Sequence, residues 1–301
     1  MSKLPTCIVL MLLLPVATAT ESVSADDWRT IRPDVIYSHK AGLAMTYDVV
    51  RPTRNPNGAA VLFMVSGGWV SIWAPPETIV RPEQRNLNLF EKIVDRGYTL
   101  FLVRHGSSPW FKVPEAVADV RLAIRHIRRH AAEYKIDPER IGVCGGSAGG
   151  HLALALGTMG DDGDPDAAVD LEKTSSHVQA VVAWFPPTDL RVYVNHETLS
   201  KSFPALVFPD DQAPDVSPLL SVSRRTPPTL LVHGDKDELV PLFHSEKFHE
   251  AMQKVSAKCE LMIMKGAAHG FSGEQGQQAE SALVDWFDTH LPAKTPKQSS
   301  P

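Results

Sequence analysis

Cysteine is scarce, with three residues in a chain of 301. One of them, Cys7, lies in the N-terminal apolar run, which leaves Cys144 and Cys259. Two thiols cannot staple a domain of this size, so stability has to come from a packed core. Each stands in an apolar run, where a buried free thiol is expected. Positive charge is in deficit: 30 Lys and Arg face 35 Asp and Glu. That balance excludes the basic surplus of a nucleic-acid binder or an anionic-membrane binder. A small or neutral ligand is the expected partner, and oligomeric state is silent. No internal repeat is present, which excludes solenoids and propellers. Beyond the N-terminus no apolar run nears the roughly 18 residues of a membrane span.

The N-terminus is where apolar residues crowd. Lys3 precedes IVLMLLLPVA at 8–17, and Ala17-Thr18-Ala19 offers a small-x-small cleavage site. Residues 1–19 read as a signal peptide cut after Ala19, rather than a buried helix. A secreted or periplasmic protein is therefore expected. The C-terminal stretch 293–301 is polar and broken by proline, and reads as a disordered tail.

Between these ends, strands and helices alternate. Residues 34–52 read as two strands joined at Ala41-Gly42. Continuous apolar runs at 59–68, 98–106, 140–145, 178–185, 229–234 and 259–266 suit strands covered on both faces. Helical spacing fills 82–97, 115–135, 148–159, 242–256 and 276–291. This order predicts an α/β fold over 20–292, a mainly parallel sheet with helices on both faces. Residues 160–177 form an acidic loop. Residues 186–220 are long and irregular, and are expected to form a short cap or rim over a site.

Glycine is concentrated around one hydroxyl, in GGSAGG at 145–150. A Walker loop would need a lysine there, and a dinucleotide fingerprint a glycine where Cys144 stands. The G-x-S-x-G pattern between a buried strand and a helix instead predicts a nucleophile elbow. Small neighbours let strand and helix close around Ser147, whose backbone then sits at a positive helix end. A serine at its ordinary pKa needs a base, and the base needs an acid to orient it. His269 follows the last strand among small residues. Asp235 and Asp237 follow the strand before it. Asp235 suits the turn itself, whereas Asp237 lies further into the loop, and the residues alone leave both open.

DPERIGVCGGSAGGHLA at 137–153, PPTLLVHGDKDELVP at 227–241 and GAAHGF at 266–271 resemble the α/β-hydrolase superfamily. More specifically, they resemble the bacterial esterase branch related to hormone-sensitive lipases and feruloyl or acetyl-xylan esterases. It covers most of the chain after residue 35. The resemblance implies a serine carboxylesterase with Ser147 as nucleophile, His269 as base and Asp237 as acid. It implies an oxyanion hole from main-chain amides: Gly68 and Ala148, with Gly67 or Trp69 contributing. No cofactor or metal is implied. The family's H-G-G-G-W reads V-S-G-G-W here, with Val65 and Ser66 in place of the first two residues. How that loop is held is therefore open. Trp69, Trp73, His105, Trp110 and Trp184 follow strands at the same sheet end and are candidate substrate contacts; the resemblance favours His105 and adds Ser107, since the stretch RHGSSP at 104–109 borders the active site in related sequences. The substrate is expected to be a small-molecule or polysaccharide ester.

Three patterns imitate metal or ligand sites. His126 and His130 have zinc-pair spacing, but Ile127 stands where glutamate is needed, so a solvated basic face is expected. Asp162, Asp164 and Asp166 imitate a calcium loop, with Ala167 and Lys173 where glycine and glutamate belong. His244 and His249 read as helix surface. Two rival functions remain. A prolyl-oligopeptidase-like serine peptidase would usually carry a propeller, for which this chain has no room. A non-catalytic hydrolase-fold binding module would not need Ser147, Asp237 and His269 together.

Overall fold

The apolar runs that lack alternation need cover on two sides, and a central sheet between two helical layers supplies it. A computed structural model describes residues 29–76 and 89–293. The expected signal peptide, the start of the helix expected over 82–97 and the tail from 294 lie outside them. The sheet has eight strands in the order β1-β2-β4-β3-β5-β6-β7-β8. β1 (Arg29–Lys40) and β2 (Leu43–Pro52) form a hairpin through Ala41-Gly42. β1 starts earlier than the expected residue 34. β2 joins the sheet antiparallel to β4 (Thr99–Val103). From there β4, β3 (Ala60–Met64), β5 (Ile141–Gly146), β6 (Ala180–Trp184), β7 (Thr229–Gly234) and β8 (Cys259–Met264) run parallel.

Successive strand residues face opposite layers, as the two-residue period of a strand requires. Leu62, Phe101, Val143, Val181 and Leu231 pack in one core with α2 (Val113–Arg129), α4 (Ala148–Met159) and α6 (Phe243–Lys254). Val61, Leu100, Cys144, Val182 and Leu230 pack in the other, under α1 (Leu89–Asp95) and α7 (Gly273–His290). Each such side chain contributes about 1.5–3 kcal/mol by leaving water. This is the α/β-hydrolase architecture. Cys144 is buried as expected, but Cys259 is only partly buried because β8 is the sheet's edge.

α2 starts at Val113 with proline in its first turn, and the Glu115 carboxylate accepts the Lys112 N–H at 2.7 Å. The helix expected to reach 135 stops at Arg129, and the chain resumes as the single turn α3 (Ala131–Tyr134). Its basic face is only partly solvated, with Arg129 exposed. Arg125 donates to Glu172 O at 2.8 Å and to Asp161, and Arg128 donates to Ser175 O at 2.6 Å. The basic face is thus the socket of the 160–177 loop. His126 and His130 stack on each other, and His126 Nδ1 meets the Tyr47 hydroxyl at 2.8 Å. Asp162 is paired with His177 and Arg225, and the Asp164 carboxylate accepts the Asp166 N–H within a turn.

Residues 186–220 form a chain of short helical turns, one of them α5 (Leu199–Ser202). They are anchored from below. Leu190, Ala205, Leu206 and Val216 are buried, and Ser217 Oγ accepts Leu190 N–H at 2.9 Å while donating to Ala213 O at 2.7 Å.

Candidate active site

Ser147 sits between β5 and α4 with φ 54° and ψ −122°, a conformation that non-glycine residues rarely adopt. Glycine neighbours make the turn possible. A Cβ on Gly145 would lie 2.5 Å from the Gly149 carbonyl carbon, and one on Gly149 would lie 2.6 Å from Met64 O. The Ser147 amide donates to Trp184 O at 2.9 Å, which pins the elbow to β6.

The three candidate catalytic residues meet. His269 Nε2 is 2.9 Å from Ser147 Oγ, and His269 Nδ1 is 2.7 Å from Asp237 Oδ2. An ionised carboxylate only accepts, so Nδ1 carries the hydrogen and Nε2 is free to take the serine's proton. Asp237 is over-determined. Its Oδ1 accepts the Leu239 and Val240 amides at 3.0 and 2.9 Å, and His233 Nε2 lies 3.4 Å from Oδ2. Burial alone would raise this carboxyl's pKa. Hydrogen bonds from His233, His269 and the Val240 amide outweigh it and hold the pKa well below the usual range. Asp235 faces away, accepting the Gly266 amide at 2.6 Å and pairing with Lys265. His233, fully buried in β7, is a supporting residue that its strand position alone did not mark.

The oxyanion side is narrower than expected. Gly67 and Val70 exchange two backbone hydrogen bonds of 3.0 Å each, so the Gly67 amide is occupied. The Gly68, Trp69 and Ala148 amides have no acceptor among the described residues. Gly68 and Trp69 both take positive φ, 57° and 58°, and Ala148 opens α4 at its positive end.

Val65 and Ser66 turn out to be tied down. His105 Nδ1–H donates to Gly106 O at 2.8 Å, which leaves Nε2 to accept the Ser66 hydroxyl at 2.8 Å. Ser71 Oγ donates to Val65 O at 2.6 Å, and Ser107 Oγ accepts the Ser71 amide at 2.8 Å. His105 and Ser107 are therefore struts under the loop. Burial lowers the His105 pKa, which keeps the ring neutral for this role. A second strut comes from α4. The Trp69 indole N–H donates to His151 Nδ1 at 3.3 Å, and His151 Nε2–H donates to Val216 O at 2.7 Å. His151 is wholly buried, and burial pushes its pKa down to about 4.

The remaining tryptophans do not converge. Trp184 packs edge-on to Phe271 at 6.1 Å, under the sheet end. Trp110 is 84% exposed and borders a separate groove with Trp73, whose indole donates to Asp34 at 3.0 Å. Trp69 alone borders the cavity at Ser147, which has a volume of about 40 Å³. The irregular segment supplies much of the wall through Pro187, Tyr193, Leu199, Phe203 and Leu206. Phe203 overhangs Gly68 so closely that a Cβ there would meet its ring at 2.8 Å. Individual residues of this wall carried no sequence pattern beyond the segment's length and aromatic content. His244, expected on a helix surface, is fully buried behind Tyr193.

The chain is similar to known proteins. The BD-FAE family model matches residues 47–252. Esterase LipQ of Mycobacterium tuberculosis is 30% identical over 230 residues, covering 73% of this chain and 52% of LipQ. The chain thus spans about half the length of the curated relatives it matches. Among solved structures, a truncated carbohydrate esterase from gut microbiota aligns with TM-score 0.70 and 26% identity over 89% of this chain and 98% of that one. Esterase 2 of Thermogutta terrifontis, phosphonylated by sarin, aligns with TM-score 0.71 and 27% identity over 88% and 96%.

Proposed function

The chain belongs to the BD-FAE family, and from that membership and the geometry at Ser147 we propose a serine carboxylesterase that removes short acyl groups from carbohydrate alcohols. The observation that carries the reading is the relay Ser147–His269–Asp237, at 2.9 and 2.7 Å, beside three unoccupied amides.

In this reading Ser147 Oγ attacks the ester carbonyl while His269 Nε2 takes its proton. Asp237 holds the Nδ1–H tautomer and stabilises the imidazolium. The Gly68, Trp69 and Ala148 amides receive the charge that develops on the carbonyl oxygen. His269 then protonates the leaving alcohol, and water repeats the sequence on the acyl-enzyme. No step calls on a metal or cofactor.

Two supports narrow the substrate. The cavity at Ser147 is small, about 40 Å³, which suits a short acyl chain. The similarity to a carbohydrate esterase supports a sugar as the alcohol. Export of the protein, expected from residues 1–19, is part of the same proposal: N-terminal sequencing of protein from the medium or periplasm should begin at Thr20.

Ser147→Ala tests the mechanism. Turnover of p-nitrophenyl acetate and labelling by a fluorophosphonate should both vanish. Retained turnover in the pure variant defeats the assignment of Ser147, and a wild-type protein that takes no label returns the fold to a binding module. A p-nitrophenyl ester series should fall steeply beyond about four carbons, and acetylated xylan should release acetate.

A further inference from the structure

The cavity at Ser147 is walled by carbon from Pro187, Leu199, Phe203, Leu206, Leu239 and Val240. Tyr193 belongs to the same wall. Its oxygen lies 2.7 Å from His244 Nε2. The direction of this hydrogen bond is decided on the far side of the imidazole. There the Thr188 backbone N–H donates to His244 Nδ1 at 3.2 Å, so Nδ1 presents a lone pair. A neutral imidazole with a bare Nδ1 carries its hydrogen on Nε2. Burial favours that neutral form, pushing the His244 pKa down to about 4. Nε2–H therefore donates to the tyrosine oxygen. The rings also stack, 5.1 Å apart and 22° from parallel, which fixes the phenol's position.

The Tyr193 hydrogen is then left over. It has no acceptor among the described residues. Burial, aided by the nearby Asp237 charge, raises the phenol's pKa to about 12, so the hydrogen stays on at any working pH. A spare donor thus belongs to a residue that lines an otherwise largely apolar cavity.

Which half of the ester meets it follows from the wall. Gly68, Trp69 and Ser147 border the cavity, and His269 does not. The leaving alcohol has to lie beside His269 to receive its proton. The acyl half therefore occupies the cavity.

We propose that Tyr193 selects short acyl groups that carry an oxygen acceptor, such as alkoxy- or hydroxyacyl groups, over plain alkyl chains of equal length. The proposal rests on the serine esterase reading. An alkyl chain displaces water from the phenol and leaves its hydrogen without a partner, whereas an ether or hydroxyl oxygen accepts it.

The test compares p-nitrophenyl methoxyacetate with p-nitrophenyl butyrate. Their acyl groups have the same number of heavy atoms and differ by one oxygen in place of a methylene. Their unequal intrinsic reactivity cancels when the ratio of kcat/KM is compared between wild type and Tyr193→Phe. That ratio should fall about fivefold in the variant. An unchanged ratio, or an equal loss on both esters, overturns the proposal. Wild-type protein gives a second measurement: methoxyacetamide should inhibit more tightly than butyramide, and equal or weaker inhibition overturns it too. Failure of the esterase reading would appear elsewhere, as turnover that survives Ser147→Ala.

Discussion

Asp237 is held by more donors than orientation of one imidazole requires. With the Leu239 and Val240 amides on one oxygen and His269 and His233 near the other, its carboxylate geometry is fixed before substrate arrives. Asp237→Asn keeps that geometry but offers an N–H to His269 Nδ1, which favours the tautomer that cannot take the serine's proton. A kcat loss of about 10³–10⁴ is expected, with KM little changed, in a pre-steady-state or steady-state assay on p-nitrophenyl acetate. The depressed pKa of Asp237 also bears on pH. A carboxyl whose folded pKa lies below its unfolded value adds stability above the unfolded value, and loses it only as pH falls through the folded one. Asp237 therefore stays ionised wherever histidine titrates. The acid limb of kcat/KM should follow a single proton, and a limb of slope two would contradict this.

At the scale of elements, the nucleophile turn depends on how closely α4 approaches β3 and β5. Gly145→Ala would place a methyl 2.5 Å from the backbone of Gly149. α4 has to move, at a cost of about 1–3 kcal/mol, and with it Ser147 and the Ala148 amide. Both Tm and kcat should fall, whereas Gly42→Ala at the β1–β2 turn, with open space around its Cβ site, should lower Tm without a selective loss of kcat. Elements of this kind were legible in the sequence because their causes are local. A doubly covered strand has to be apolar throughout, and α4 was bounded by Ser147 and Gly160 as expected. The wall of the cavity was not legible, since Tyr193, Leu199 and Phe203 sit in short turns with no period. Polar helix faces misled for a related reason. Arg125 and Arg128 pattern as solvent-facing, but a loop's carbonyl groups cover them, and backbone acceptors leave no trace in side-chain hydropathy. His105 and Ser107 lie at the expected sheet end, yet their partners are Ser66 and Ser71, a contact across 39 and 36 residues that no local pattern encodes.

For the whole molecule, histidines held neutral by burial shape the response to acid. His126, His151 and His244 all have pKa values pushed down to about 4 by burial. In the unfolded chain each titrates near 6.5, so between about pH 6.5 and 4 the unfolded state binds more protons and folding weakens as pH falls. His151 and His244 are fully enclosed and contribute most, and the partly accessible His126 contributes less. Tm should be level above about pH 7 and drop through that window, with an uptake of about two protons on unfolding. A flat Tm from pH 7 to 4.5 would contradict the neutral, buried state assigned to these rings.

The contact of His151 with Val216 constrains how this molecule can be redesigned. One imidazole joins the tryptophan of the oxyanion loop, the helix behind the nucleophile and a carbonyl of the rim. The rim is where a new pocket would be grafted to change the substrate. A graft that omits an acceptor at this point strands the imidazole's hydrogen and slackens Trp69, so a rim chosen for specificity alone would arrive with a loss of rate. Modularity here has a fixed socket, and any interchangeable part has to carry the matching pin.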